Sequence, residues 1–231
     1  MFKYCVLSLL IFFGALTHHV WAMEEAFMFE VESHSGDAII PHIPLLEEWV
    51  KRDYIHYPYL WVPTTSDCGL DLFVKEERAL VTIVKQQGKV VGIAAGISFD
   101  SALLENYFQE PLSKLAKERG FDPSQILYMS FFLTAPERRN DPLLVQAIYN
   151  TYVKFAGNLG KTKISYWADM SSNEHHPLKP DKLVPVEPWG EVIHGFRSMK
   201  IQLNLPWMTL QSDGSVKEEI HPAEFFIKDL Q

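Results

Sequence analysis

The chain has 231 residues, 47% hydrophobic and 22% charged, the balance of an ordinary folded domain, with a formal net charge of -8. That acidity, without any Lys or Arg run long enough to track phosphates, argues against a nucleic-acid partner. Aromatic residues make up 13% of the chain, so packing can supply the core without a metal or a disulfide.

The chain opens with the short basic start Met1-Phe2-Lys3, an apolar run over residues 4–16, the polar residues Thr17, His18 and His19, and then Val20-Trp21-Ala22. This is the layout of a signal peptide cut after Ala22. The apolar run falls short of the roughly 20 residues a bilayer span requires. The expectation is therefore a signal peptide over residues 1–22 and one exported domain over 23–231, periplasmic or secreted, with no stable membrane span. A start at Met23 would instead give a cytoplasmic protein. Cys5 leaves with the signal and Cys68 remains alone, which excludes an internal disulfide.

In the mature chain, residues 26–31 predict a first strand. Leu45, Leu46, Trp49, Val50 and Tyr54 recur at helical spacing behind Pro41 and Pro44, which suit a helix start. Tyr57-Pro58-Tyr59-Leu60-Trp61 crowds aromatic rings into a loop. Residues 79–84 and 90–97 are β-branched runs joined through Gly88, a hairpin signature. Ser101 can cap a helix carrying Leu103, Leu104, Tyr107 and Phe108, which Pro111 interrupts before it resumes toward Gly120. Residues 125–134 form a long apolar run expected to be a central strand buried on both faces.

Asp141-Pro142 is a helix start, and Leu144, Ile148, Tyr152, Phe155 and Leu159 line one face until Gly160. Residues 163–168 follow as a strand, giving a β-α-β unit with parallel pairing. Residues 196–205 and 223–227 are the last strands, with a turn at Ser212-Asp213-Gly214. No P-loop, nucleophile elbow or His-Glu-x-x-His helix occurs. Glu174-His175-His176 is the tightest group of metal-ligand types, but its spacing does not suit a metal, and none is expected.

The order of these elements resembles the GNAT (GCN5-related N-acetyltransferase) superfamily, an α/β fold with a mixed central sheet and flanking helices. Local motifs point the same way. Tyr57-Pro58-Tyr59-Leu60 is similar to a "YPYL" segment of a bacterial GNAT branch, and Gly88-Lys89-Val90-Val91-Gly92 to its hairpin turn. His176-Pro177-Leu178-Lys179-Pro180 resembles its "HPLRP" loop, and Trp189 with Gly195-Phe196 its final Trp and "GF".

The resemblance implies an N-acyltransferase moving an acetyl or similar group from acetyl-CoA, or another acyl-CoA co-substrate, to an amine on a small molecule or a protein. It implies a gap between the strands at 125–134 and 163–168, with the pantetheine arm along Phe132, Leu133 and Thr134. The diphosphate would sit at the turn holding Arg138, Arg139 and Asn140. It also implies an acceptor pocket near Tyr57 and Tyr59. Acyl transfer needs a base and an acid, and in place of the branch's strand carboxylate the sequence offers Asp169 or Glu174 as the base and Tyr128 as the acid.

The sequence departs from the family pattern in two places. The diphosphate turn, Glu137-Arg138-Arg139-Asn140-Asp141-Pro142, contains no Gly, Pro142 removes one N–H, and a capping Asp141 would consume donors a diphosphate needs. The strand Tyr128-Met129-Ser130-Phe131-Phe132 carries an aromatic residue where the branch often has a carboxylate. The alternative reading is a GNAT-fold protein that has lost transfer and binds a ligand or a protein. The oligomeric state is not legible.

Overall fold

A computed structural model describes residues 29–56, 59–60, 70–104, 116–139, 141–169, 195–211 and 213–230. Its main sheet has seven strands in the order β1-β4-β5-β6-β7-β9-β8. These are β1 (Glu30–His34), β4 (Ala79–Gln86), β5 (Lys89–Ser98), β6 (Ile126–Thr134), β7 (Lys163–Asp169), β8 (Arg197–Leu210) and β9 (Val216–Asp229). β2 (Ile55–His56) and β3 (Tyr59–Leu60) form a separate antiparallel pair. The helices are α1 (Ile43–Tyr54), α2 (Asp71–Lys75) and α3 (Pro142–Asn158). The mixed α/β architecture agrees with the expectation from sequence.

Several boundaries move. The first described strand spans Glu30–His34 and runs on past Val31, with a β4 register from Glu30↔Lys85 to His34↔Val81, while residues 26–28 of the expected strand lie outside the described residues. The two last strands are longer than expected, since β8 and β9 pair with each other over their length from Leu210↔Val216 inward. Tyr59 belongs to the small β2–β3 pair, where sequence suggested a loop. Tyr57, Cys68, Asn140, Glu174, the signal segment and the His176 loop lie outside the described residues.

Each face of the sheet carries its own apolar layer. On one face Leu46, Trp49 and Val50 of α1 and Phe73 of α2 pack on Val81, Ile83, Ile93, Ile97, Tyr128 and Phe225. On the other, Leu144, Ile148, Tyr149, Tyr152 and Ala156 of α3 meet Ala94, Leu127, Met129, Ile164 and Phe226. This double cover explains why β6 reads as one long apolar run.

Helix α3 starts where the sequence placed it. Asp141 accepts hydrogen bonds from Leu143 N and Leu144 N, and Pro142 occupies the first turn, where its missing N–H is not needed. Two small residues of β5 let this helix approach the sheet. A Cβ on Gly92 would lie 2.7 Å from Ile148 Cδ1, and one on Gly96 would lie 3.0 Å from the Tyr152 ring. The β4–β5 hairpin turns through Gln87 and Gly88 at φ of 51° and 73°, the two positive values that a two-residue turn of matching twist requires.

Candidate functional site

The central strands fork. β6 and β7 run parallel and pair at Ile126↔Lys163, Leu127↔Ile164 and Tyr128↔Ser165, where the register ends. Beyond that point β6 continues with β5 as far as Thr134↔Gly92, whereas β7 stays with β9 as far as Asp169↔Ala223. The sheet thus divides into a β1-β4-β5-β6 half and a β7-β9-β8 half that separate toward the carboxyl ends of β6 and β7.

A β-bulge marks the point of departure. Ala95 pairs with Phe131 and Gly96 with Met129, so Ser130 is the extra residue on β6. A bulge bends its strand and increases the local twist, which carries β6 away from β7. The side-chain alternation slips with it: Tyr128 before the bulge and Phe131 and Leu133 after it belong to the same apolar layer. Tyr152 holds the irregularity from α3, its hydroxyl donating to Phe131 O at 2.6 Å and Ala95 O at 3.1 Å.

The opposite end of the fork is pinned. Lys161, just before β7, is buried and donates to Ser124 O at 2.7 Å and Asp100 Oδ1 at 3.3 Å. Asp100 also accepts from Ser98 Oγ at 2.5 Å and from Arg78 at 3.1 Å, and Arg78 reaches on to Glu76. Burial acts to raise the Asp100 pKa, but the Ser98 hydroxyl, Lys161 and Arg78 outweigh it and hold the carboxyl below its ordinary range. Parallel strands tied at their starts and free at their ends form a crevice where such sheets take ligands.

Tyr128 is the last residue of β6 to pair with β7 and is 6% exposed, set in the core with its ring centroid 6.4 Å from that of Phe99. Phe132, Leu133 and Thr134 lie on the stretch of β6 beyond the fork, and Asp169 ends β7 on the opposite arm. Sequence reasoning missed two β7 residues. Ser165 Oγ and Trp167 Nε1 are buried with no hydrogen-bond partner among the described residues. They share one face of β7, beside the apex of the fork, and a buried polar atom without a partner costs free energy that a bound ligand could offset. Their signal in the sequence was a polar hydroxyl and an indole inside a buried strand.

At the carboxyl end of β6 the chain turns through residues 136–139 into α3. There the cap carboxylate is fully engaged: Asp141 Oδ1 accepts from Leu143 N at 3.0 Å and Leu144 N at 3.3 Å, and Oδ2 accepts from Arg138 Nη1 at 3.0 Å. Arg138 Nη2 donates to Gln86 Oε1. Arg139 donates to Asp53 Oδ1 at 3.1 Å. Asp53 is also chelated by Arg52, which donates to Thr134 O at 3.2 Å and stacks over the Trp49 ring. Arg138 and Arg139, expected from sequence to face a diphosphate, are thus held in ion pairs by this chain's own acids.

No family model matches the sequence, and no curated protein does. Solved structures match over most of the chain. Ard1 from Thermoplasma volcanium superposes with a TM-score of 0.51 at 12% identity, covering 88% of this chain and 98% of that one. The chain has the GNAT acetyltransferase fold. YncA of Salmonella typhimurium, a putative acetyltransferase solved with its cofactor acetyl-CoA, gives a TM-score of 0.51 at 15% identity over 87% of this chain and 94% of its own. The C-terminal condensation domain of Ebony, solved with beta-alanyl-dopamine, gives 0.54 at 13% identity over 88% of this chain and 100% of its own.

For an acyl-CoA the residues of this GNAT fold divide into two groups. The forked strands and the orphaned atoms of β7 suit a slender thioester arm. The turn into α3 does not suit a diphosphate: Leu143 N and Leu144 N already serve Asp141, and Pro142 has no N–H to offer. Among the described residues no group of three or more His, Cys, Asp or Glu could hold a metal, and no helix is long and apolar enough to cross a membrane.

Proposed function

We propose that this protein is an N-acyltransferase that moves an acetyl or similar acyl group from the thioester of a pantetheine arm, the reactive end of acetyl-CoA, to an amine. The observation that carries this reading is the fork between β6 and β7 at the bulge of Ser130. The fold supports the same class, as does the presence of acetyl-CoA in one structural neighbour.

In the proposed reaction the amine nitrogen attacks the thioester carbonyl. The C–N bond forms, the C–S bond breaks, the amine proton passes to a base, and the leaving thiolate takes up a proton. Asp169, at the end of β7, and Glu174, in the segment that follows, are the proposed bases. Tyr128, at the apex of the fork, is the proposed acid. Tyr57 and Tyr59 are proposed to line the acceptor side. The acceptor is an amine on a small molecule or a protein, and the domain is proposed to be exported once its signal is cut after Ala22.

The test is to incubate purified protein with S-acetylpantetheine or acetyl-CoA and a panel of polyamines, aromatic amines and peptide N-termini, following thiol release and acylated product. Saturable turnover with one amine class, lowered at least about tenfold by Asp169→Asn, supports the reading. Absence of both saturable thioester binding and turnover overturns it. N-terminal sequencing of exported protein should begin at Met23, and an intact Met1 would remove the export proposal.

A further inference from the structure

The fork opens toward the carboxyl end of β6, where the turn into α3 begins, and the two differ in what they leave open to a donor. A nucleotide diphosphate bound at a helix N-terminus is held by backbone N–H groups and by nearby cations. In this chain Leu143 N and Leu144 N already donate to Asp141, and Arg138 bridges the same carboxylate to Gln86. Arg139 is bound to Asp53, which Arg52 also chelates. Among the described residues, the ion pairs at the turn set Arg52, Arg138 and Arg139 against Asp53 and Asp141, and Glu137 is exposed beside them, a balance of zero. A diphosphate arriving there would meet a fixed carboxylate on the donors it needs, and no surplus positive charge.

We infer that Asp141 takes the place a donor's diphosphate would occupy, so that the protein selects its thioester by the pantetheine arm and not by the nucleotide. This rests on the proposed acyl transfer for the identity of the donor, but the occupancy of the turn can be tested apart from it. Asp141→Ser is the informative substitution, because Ser retains the helix cap and removes the charge. Arg138 is thereby released toward an incoming anion.

Calorimetric titrations would use three probes, S-acetylpantetheine, acetyl-CoA and inorganic pyrophosphate, on the wild type and on Asp141→Ser, with thermal unfolding to show that both are folded. The wild type is expected to bind the two thioesters within about threefold of each other and to ignore pyrophosphate. In Asp141→Ser, acetyl-CoA should bind about tenfold tighter and pyrophosphate should bind measurably, while S-acetylpantetheine is unchanged, the gain expected from recovering charge-assisted hydrogen bonds.

Wild-type binding of pyrophosphate, or a wild-type preference for acetyl-CoA over S-acetylpantetheine of tenfold or more, would overturn the inference. So would an Asp141→Ser protein that is folded and still ignores pyrophosphate. If neither protein binds a thioester but Asp141→Ser alone binds pyrophosphate, the role of Asp141 stands and the proposed acyl transfer falls.

Discussion

The two ends of the β6–β7 pair are opposites. At the closed end, Lys161 ties the start of β7 to Ser124 and Asp100, and three register pairs join the strands. At the open end, a bulge, two glycines and a clamping tyrosine bend β6 away, and the chain enters α3 through a turn filled with its own ion pairs. The contrast shows that the fork is made by backbone geometry, which many sequences satisfy. An anion site depends on a few particular residues, and at this turn Arg138, Arg139, Leu143 N and Leu144 N are engaged by Asp141 and Asp53.

That comparison can be broken at either end. Gly96→Val should have the largest effect, because its Cβ would meet the Tyr152 ring at 3.0 Å and Tyr128 O at 3.2 Å, one of which is rigid backbone. A loss of about 3 kcal/mol in urea unfolding is expected, with thioester binding lost if the fork closes. Lys161→Met at the closed end should lower stability by about 2 kcal/mol, since it leaves Asp100 with less compensation and Ser124 O without its donor. Tyr152→Phe should cost about 1 kcal/mol in the same assay, because the carbonyls of Ala95 and Phe131 each lose a donor.

Acid sharpens the comparison more gently. Asp100 is depressed in the fold, so the stability it contributes is present above its ordinary value of 3.8 and is lost as pH falls through its lower folded value. His34, at the sheet edge, is also depressed, by burial first and then by its neighbour His42, with Glu32 opposing and Lys85 adding to the shift. Its neutral form is the one the fold prefers, so its share is complete above 6.5 and lost as pH falls through the folded value. Thermal unfolding should therefore weaken in two acid stages, a higher one from His34 and a lower one that Asp100 shares with the other depressed carboxylates, Glu76 and Asp229 among them. Removing the higher one by His34→Gln while the lower remains would assign them, and a single step unchanged by His34→Gln would refute the assignment.

Much of the fold was legible. The hairpin through Gly88, the cap at Asp141-Pro142, the breaker at Gly160 and the long apolar run of β6 are local signals whose cause lies in the residues themselves. The turn at 137–142 was legible in the same way, because the absence of Gly and the presence of Asp141 are sequence facts with a direct backbone meaning. The parallel pairing of 125–134 with 163–168 followed from the β-α-β order and is found; what could not be read was where that pairing ends and which distant side chains meet. That β7 leaves β6 after Tyr128, that Ser130 is a bulge, and that Arg139 finds Asp53 on α1 all depend on which strands and helices the fold brings together.

The sequence by itself determined the main strands, the helices α1 and α3, their order and the character of the α3 cap, because helix starts, turns and apolar periodicity are fixed within a few residues, whereas α2 and the β2–β3 pair were not read from it. Only the tertiary structure decided where the central sheet opens and which acids claim the arginines. Strand register and ion-pair choice are settled by packing among parts of the chain far apart in sequence.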